Sequence, residues 1–169
     1  PTASSRSVSS VQFNSGGQSL AAVPASADLR VVGITNDYEV EWYYVVAPTV
    51  GTNLQIDVTM SGACANLGAG AIVANNVNQG TPLGTAGHAN GTATTASASV
   101  PSAVNDLVVG LVSPQSDVAT DCTPNVGTQD WETISVIDLG IVSNGIHLAG
   151  EASSTLISWA VKGGAFSGW

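Results

Sequence analysis

Basic side chains are nearly absent from this sequence: Arg6, Arg30 and Lys162 are the three in a chain of 169 residues. So few cations cannot line a phosphate backbone or an anionic bilayer, which argues against nucleic acid and membrane surfaces as partners. Leu and Met are scarce as well, 11 together against 30 Val plus Ile, and charged residues of both signs make up only 9%. Helices take their surfaces from Lys, Glu and Arg and their cores largely from Leu and Met, so this poverty speaks against a helical fold. No apolar run nears the roughly 18 residues that a bilayer-crossing helix needs, and the opening Pro-Thr-Ala-Ser-Ser-Arg has no hydrophobic signal core. A disordered chain would combine low hydrophobicity with dense charge, whereas 44% of this one is hydrophobic.

The residues that are present point to strands. Ala, Gly, Ser and Thr account for 76 positions; small residues suit tight sheet packing and turns, and the branched Val and Ile favour the pleat. Residues 39–46 alternate, with Val40, Trp42, Tyr44 and Val46 on one face and Glu39, Glu41, Tyr43 and Val45 on the other. Residues 54–61 alternate in the same way, and the two stretches read as an antiparallel pair with one buried face. Residues 69–77 and 96–100 read as small-residue strands, 107–112 as a strand buried on both faces, 131–142 as one long or two short strands, and 153–161 as another. Asn144-Gly145 has the sequence of a hairpin turn. Turn signals without a helical period predict an all-β fold, an antiparallel two-sheet sandwich of jelly-roll type. The expected organisation is a flexible or partner-ordered arm at 1–10, the sandwich at 11–162 and a tail at 163–169.

Two cysteines, Cys64 and Cys122, lack C-x-x-C spacing and a basic neighbour, so a catalytic thiolate or a metal site is disfavoured. Joined, they would close a loop of about 59 residues, worth on the order of 4 kcal/mol of chain entropy. The disulfide is the favoured reading, and two unpaired small hydrophobes are the other.

Several motifs have the residue types of a site. Asp37, Glu39 and Glu41 bring carboxylates about 7 Å apart along one strand face, a separation known from glycosidases, but alternate positions of a strand more often form a solvated face. Asp117, Asp121 and Asn125 make an oxygen-rich loop without the spacing of a calcium loop. His88 and His147 stand far apart, with no nucleophile or metal ligand that spacing ties to them. Asn90-Gly91-Thr92 is an acceptor triplet for glycosylation, and Asn90-Gly91 alone is also a turn signal. Of the four tryptophans, Trp42 and Trp159 sit on apolar strand faces and belong to the core; Trp131 and Trp169 are the better candidates for exposure and glycan stacking. No catalytic residue, metal ligand set or cofactor is implied.

Val8-Ser9-Ser10-Val11 with Gly16-Gly17-Gln18 and Leu20, Glu41-Trp42-Tyr43 leading to Val46-Ala47-Pro48, Gly51-Thr52, residues 77–85, Asp106-Leu107-Val108-Val109 and Ser158-Trp159 together resemble a β-sandwich module. That module recurs in bacterial cell-surface proteins and phage virion proteins. The resemblance covers roughly residues 8–162 and implies a jelly-roll or concanavalin-like sandwich without catalysis. Members of the family carry further strands at both ends, which leaves two readings: an open edge here, completed by a strand from a neighbouring chain, or a sandwich complete within one chain. Pro1, Arg6, Val8, Phe166 and Trp169 are the expected assembly contacts. The expected function is that of a structural subunit of a virion, as decoration or tail appendage, or of an extracellular filament, with other copies or neighbouring virion or filament proteins as partners. A carbohydrate-binding or adhesion module using exposed Trp is the alternative.

Overall fold

The structure, a computed structural model, describes residues 7–14, 17–23, 30–32, 37–64, 67–116, 121–135, 141–162 and 166–168. Among these residues there is no helix, and every strand pairing is antiparallel. The chain forms two compact units, residues 1–65 with 75–83 and residues 66–74 with 84–169.

In the first unit, β1 (Val8–Phe13) lies between β2 (Gln18–Ser19) and β7 (Ile56–Met60). Two shorter ladders join β3 (Ala21–Ala22) to β6 (Tyr43–Tyr44) and β4 (Arg30–Val32) to β5 (Asp37–Glu39). β1 starts three residues before the expected boundary of the arm, because Val8 already pairs with Met60 and the Ser61 N–H donates to Ser7 at 2.9 Å. The strand expected over 39–46 is divided between β5 and β6, and β7 takes β1 as its partner instead of that stretch. The connecting loop accounts for the difference. Ala47 and Asn53 both adopt the left-handed region, at φ 49 and 59. Gln18 holds the loop from outside: its Oε1 accepts from the Thr49 N–H and hydroxyl at 2.7 and 2.9 Å, and its Nε2 donates to the Ala47 carbonyl at 3.3 Å. A loop shaped and tethered in this way does not make a tight hairpin. Val11 is the one buried hydrophobic side chain among the described residues of this unit.

The second unit is the sandwich. Its larger sheet contains β9 (Leu107–Val112), β10 (Gln115–Ser116), β12 (Thr128–Ser135), β13 (Ile141–Ala149) and β15 (Phe166–Gly168), with β13 between β12 on one side and β9 then β10 on the other. The smaller sheet runs in the order β11 (Asp121–Pro124), β14 (Ser153–Lys162), β8 (Thr95–Ser102). Period-two patterning decides which side chains meet between the sheets. Val108, Val112, Val142 and Ile146 come from one, and Ala96, Cys122, Ile157, Trp159 and Val161 from the other. The Trp159 indole fills the middle, and Gly110 opposite makes room for it: a Cβ there would stand 2.9 Å from the ring edge. Burying an indole, on the order of 200 Å², contributes about 5 kcal/mol of transfer free energy, the largest single term in this core.

Four expectations change here. Residues 69–77, expected as a strand, form none, in keeping with the weak strand preference of Ala and Gly. β9 is buried on one face only, since Leu107 and Val109 on the other are 47% and 37% exposed. Asn144-Gly145 lies in the middle of β13, not in a turn. In the expected tail, Phe166–Gly168 form β15 and pair with β10 of the same chain.

Candidate functional site

The outward face of β12 and β13 brings Asp130, Trp131 and His147 together. A register shift between Gln129 and Trp131 leaves Asp130 as an extra residue opposite no partner. Such a bulge turns a side chain out of the alternation and bends its strand. The Asp130 carboxylate thereby reaches His147, with Oδ1 2.7 Å from Nδ1. Among the described residues, Nε2 has no hydrogen-bond partner. Sequence spacing could not have found this pair: the residues are 17 positions apart, and the bulge that joins them has no glycine signature.

Trp131 follows the bulge and is half-buried. It faces Gly145 across the ladder. A Cβ at Gly145 would lie 2.5 Å from the indole Cε2, and one at Gly70 would also fall inside the ring's van der Waals envelope. Two glycines therefore form the bed of the ring, and residues 67–74 cross this face close enough for Gly68 to meet Ser143 and Thr133. The expected open indole is in fact packed, and glycan stacking would be limited to the part of the ring left uncovered.

Behind this face, Asn144 is fully buried and its polar atoms are satisfied. Oδ1 accepts from Trp159 Nε1–H of the opposing sheet at 3.0 Å, and Nδ2 donates to Gln129 Oε1 at 2.9 Å. A buried amide with partners on both sides fixes the register of the two sheets, since each unmade bond would cost about 1–3 kcal/mol.

The remaining expected site residues are dispersed. Glu41 accepts the Val8 N–H at 3.1 Å and the Tyr43 hydroxyl, a structural use of a carboxylate. Asp37 and Glu39 lie on β5, which ends before Glu41. Asp121 accepts from Lys162 Nζ and the Thr123 hydroxyl, at 3.3 and 3.1 Å. His88 and Asn90 are exposed in the irregular stretch before β8, while Asn125 is exposed after β11. Val8 begins β1 and Phe166 begins β15. Pro1, Arg6, Asp117 and Trp169 lie outside the described residues. Among the described residues, no group of three His, Cys, Asp or Glu side chains comes together.

The expected Cys64–Cys122 disulfide is not formed: both thiols are free, Cys64 exposed and Cys122 buried. Cys122 points inward from β11 into the apolar cluster. Burial, with Glu132 and Asp121 nearby, pushes the Cys122 thiol up from 9.0 to about 12. It acts as a small hydrophobe.

In comparisons with known proteins, no family, no curated protein and no solved structure matches the chain.

Proposed function

We propose that this protein is a non-enzymatic structural subunit that assembles with copies of itself, or with neighbouring proteins of a virion or extracellular filament, through a free sheet edge. The observation that carries the reading is the contrast between β9 and the other edges of the sandwich. Natural edge strands are blunted by charge, proline, bulges or brevity. β12 has its bulge with Asp130 and Glu132, and β11 is four residues long with Asp121 and Pro124. β8 contains Pro101, and the backbone near Gly87 lies against Ser99. Among the described residues, β15 pairs with β10 and not with β9. β9 itself is six residues of Leu-Val-Val-Gly-Leu-Val, without charge, proline or bulge, and among the described residues it is paired on the β13 side alone.

The virion or filament setting rests on the sequence resemblance. The test is light scattering coupled to size exclusion at micromolar concentration, on the parent and on Val109→Lys. Oligomers in the parent that dissociate in the variant are expected. A parent that stays monomeric would refute edge assembly. Glycan binding that is lost in Trp131→Ala would favour an adhesion module instead.

A further inference from the structure

The chain contains two Asn-Gly dipeptides, at 90–91 and 144–145, and the fold places them in opposite environments. Asn-Gly is the most reactive sequence for loss of the side-chain amide, because glycine leaves the following backbone nitrogen unhindered. That nitrogen, after giving its proton to hydroxide, attacks the Asn Cγ. The N–Cγ bond forms, the Cγ–Nδ2 bond breaks, and ammonia departs with the returned proton. Water then opens the resulting succinimide at either carbonyl, giving aspartate or isoaspartate. Water is the only co-reactant. The step needs a backbone free to rotate and an amide group free to be attacked.

Asn90 meets both needs. It is exposed, it lies in an irregular stretch between residues 84 and 91, and among the described residues neither Asn90 nor Gly91 makes a hydrogen bond. Asn144 meets neither. It is 0% exposed, both polar atoms of its side chain are bonded, and its strand is paired on both sides, with Glu132 and Val112 opposite Asn144 and Trp131 and Leu111 opposite Gly145. Reaction there requires β13 to leave the sheet, a rare opening that approaches global unfolding.

We propose that Asn90 is a site of spontaneous deamidation in the folded protein, and that Asn144 is protected by the same hydrogen bonds that set the sheet register. Conversion of Asn90 adds one negative charge to the net −9. In its isoaspartyl form it also lengthens the backbone by one carbon, three residues after Gly87 passes the edge of β8.

The experiment holds the folded protein, made in a host that does not glycosylate, in mildly alkaline buffer. A parallel sample is kept in denaturant. Chymotryptic peptides spanning residues 84–107 and 140–148 are followed for the amide-to-acid mass shift and for labelling by an isoaspartyl methyltransferase. In the folded sample Asn90 converts at least about tenfold faster than Asn144, whereas in denaturant the two rates come within about threefold of each other. Asn90→Gln removes the modification from its peptide, and Gly91→Ala slows it. Comparable rates at the two sites in the folded protein would overturn the proposal. So would an Asn90 that stays intact when folded but reacts in denaturant.

Discussion

Gly145→Ala tests the packing of the β12–β13 face most directly. The added methyl would stand 2.5 Å from the Trp131 Cε2 and 3.0 Å from Cδ1, where carbon atoms need about 3.5 Å or more. The indole cannot simply retreat, because Gly70 also touches it. Overpacking of this kind costs about 1–3 kcal/mol, which for a chain of this size lowers Tm by roughly 3–10 °C. The decisive measurement is a double-mutant cycle in urea followed by circular dichroism, which does not depend on the tryptophan being changed. With Trp131→Ala in place the methyl has nothing to strike, and alanine in a strand is favoured over glycine by roughly 0.5–1 kcal/mol. The same substitution should then become neutral or slightly stabilising. A single variant within about 0.5 kcal/mol of the parent, or an equal penalty in both backgrounds, would refute the packing argument.

Asn144→Leu keeps the side-chain volume but leaves Trp159 Nε1–H buried without an acceptor, so unfolding should become easier by about 1–3 kcal/mol; no measurable change in denaturation midpoint would count against the register role. A thiol reagent should modify one cysteine, Cys64, in the native protein and both after unfolding, and two rapid native equivalents would contradict the burial of Cys122. Because folding raises the Cys122 pKa from 9.0 to about 12, the stability linked to its proton is complete below pH 9.0 and is lost as pH rises towards 12. Cys122→Ala should therefore be less sensitive than the parent across that window in pH-dependent melting. Lys162→Met should change stability by less than about 1 kcal/mol, since both partners of the Lys162–Asp121 pair are more than half exposed.

Strand identity was legible over the alternating residues 96–100 and 153–161 and over the apolar run 107–112, which fall within β8, β14 and β9, but not over residues 39–46, whose alternation is divided between β5 and β6. The core position of Trp159 followed from the same period, and the structure leaves it 2% exposed. Partner choice was not legible. Residues 39–46 and 54–61 looked like a hairpin because they are adjacent in sequence, and nothing in either stretch announces that Gln18 ties down the loop between them. Trp131 looked exposed because its local neighbours are polar. The glycines that bed it are 61 and 14 positions away, and a glycine makes room without leaving a periodic trace. Asn144-Gly145 was misread for a related reason. As a dipeptide it has the backbone freedom of a tight turn, but here the asparagine is used for its two-sided amide and the glycine for its missing Cβ. Tertiary packing uses the same residues for reasons unrelated to turn geometry.

The shortage of charge acquires a sharper meaning at the sheet edges. A chain with three basic residues cannot guard its edges with lysine, so composition alone predicts that all of them are open. The sandwich contradicts that simple expectation, because it protects edges by other means: a bulge and acids on β12, brevity and a proline on β11, a proline and a neighbouring segment on β8. Each device was available for β9 as well. A single proline or acid among Leu107, Val109 and Leu111 would have blunted that strand without touching the inward Val108, Gly110 and Val112. General poverty of charge would have left every edge bare. A selective gap, on the strand that also exposes Leu107 and Val109, is what a surface kept free for pairing would have.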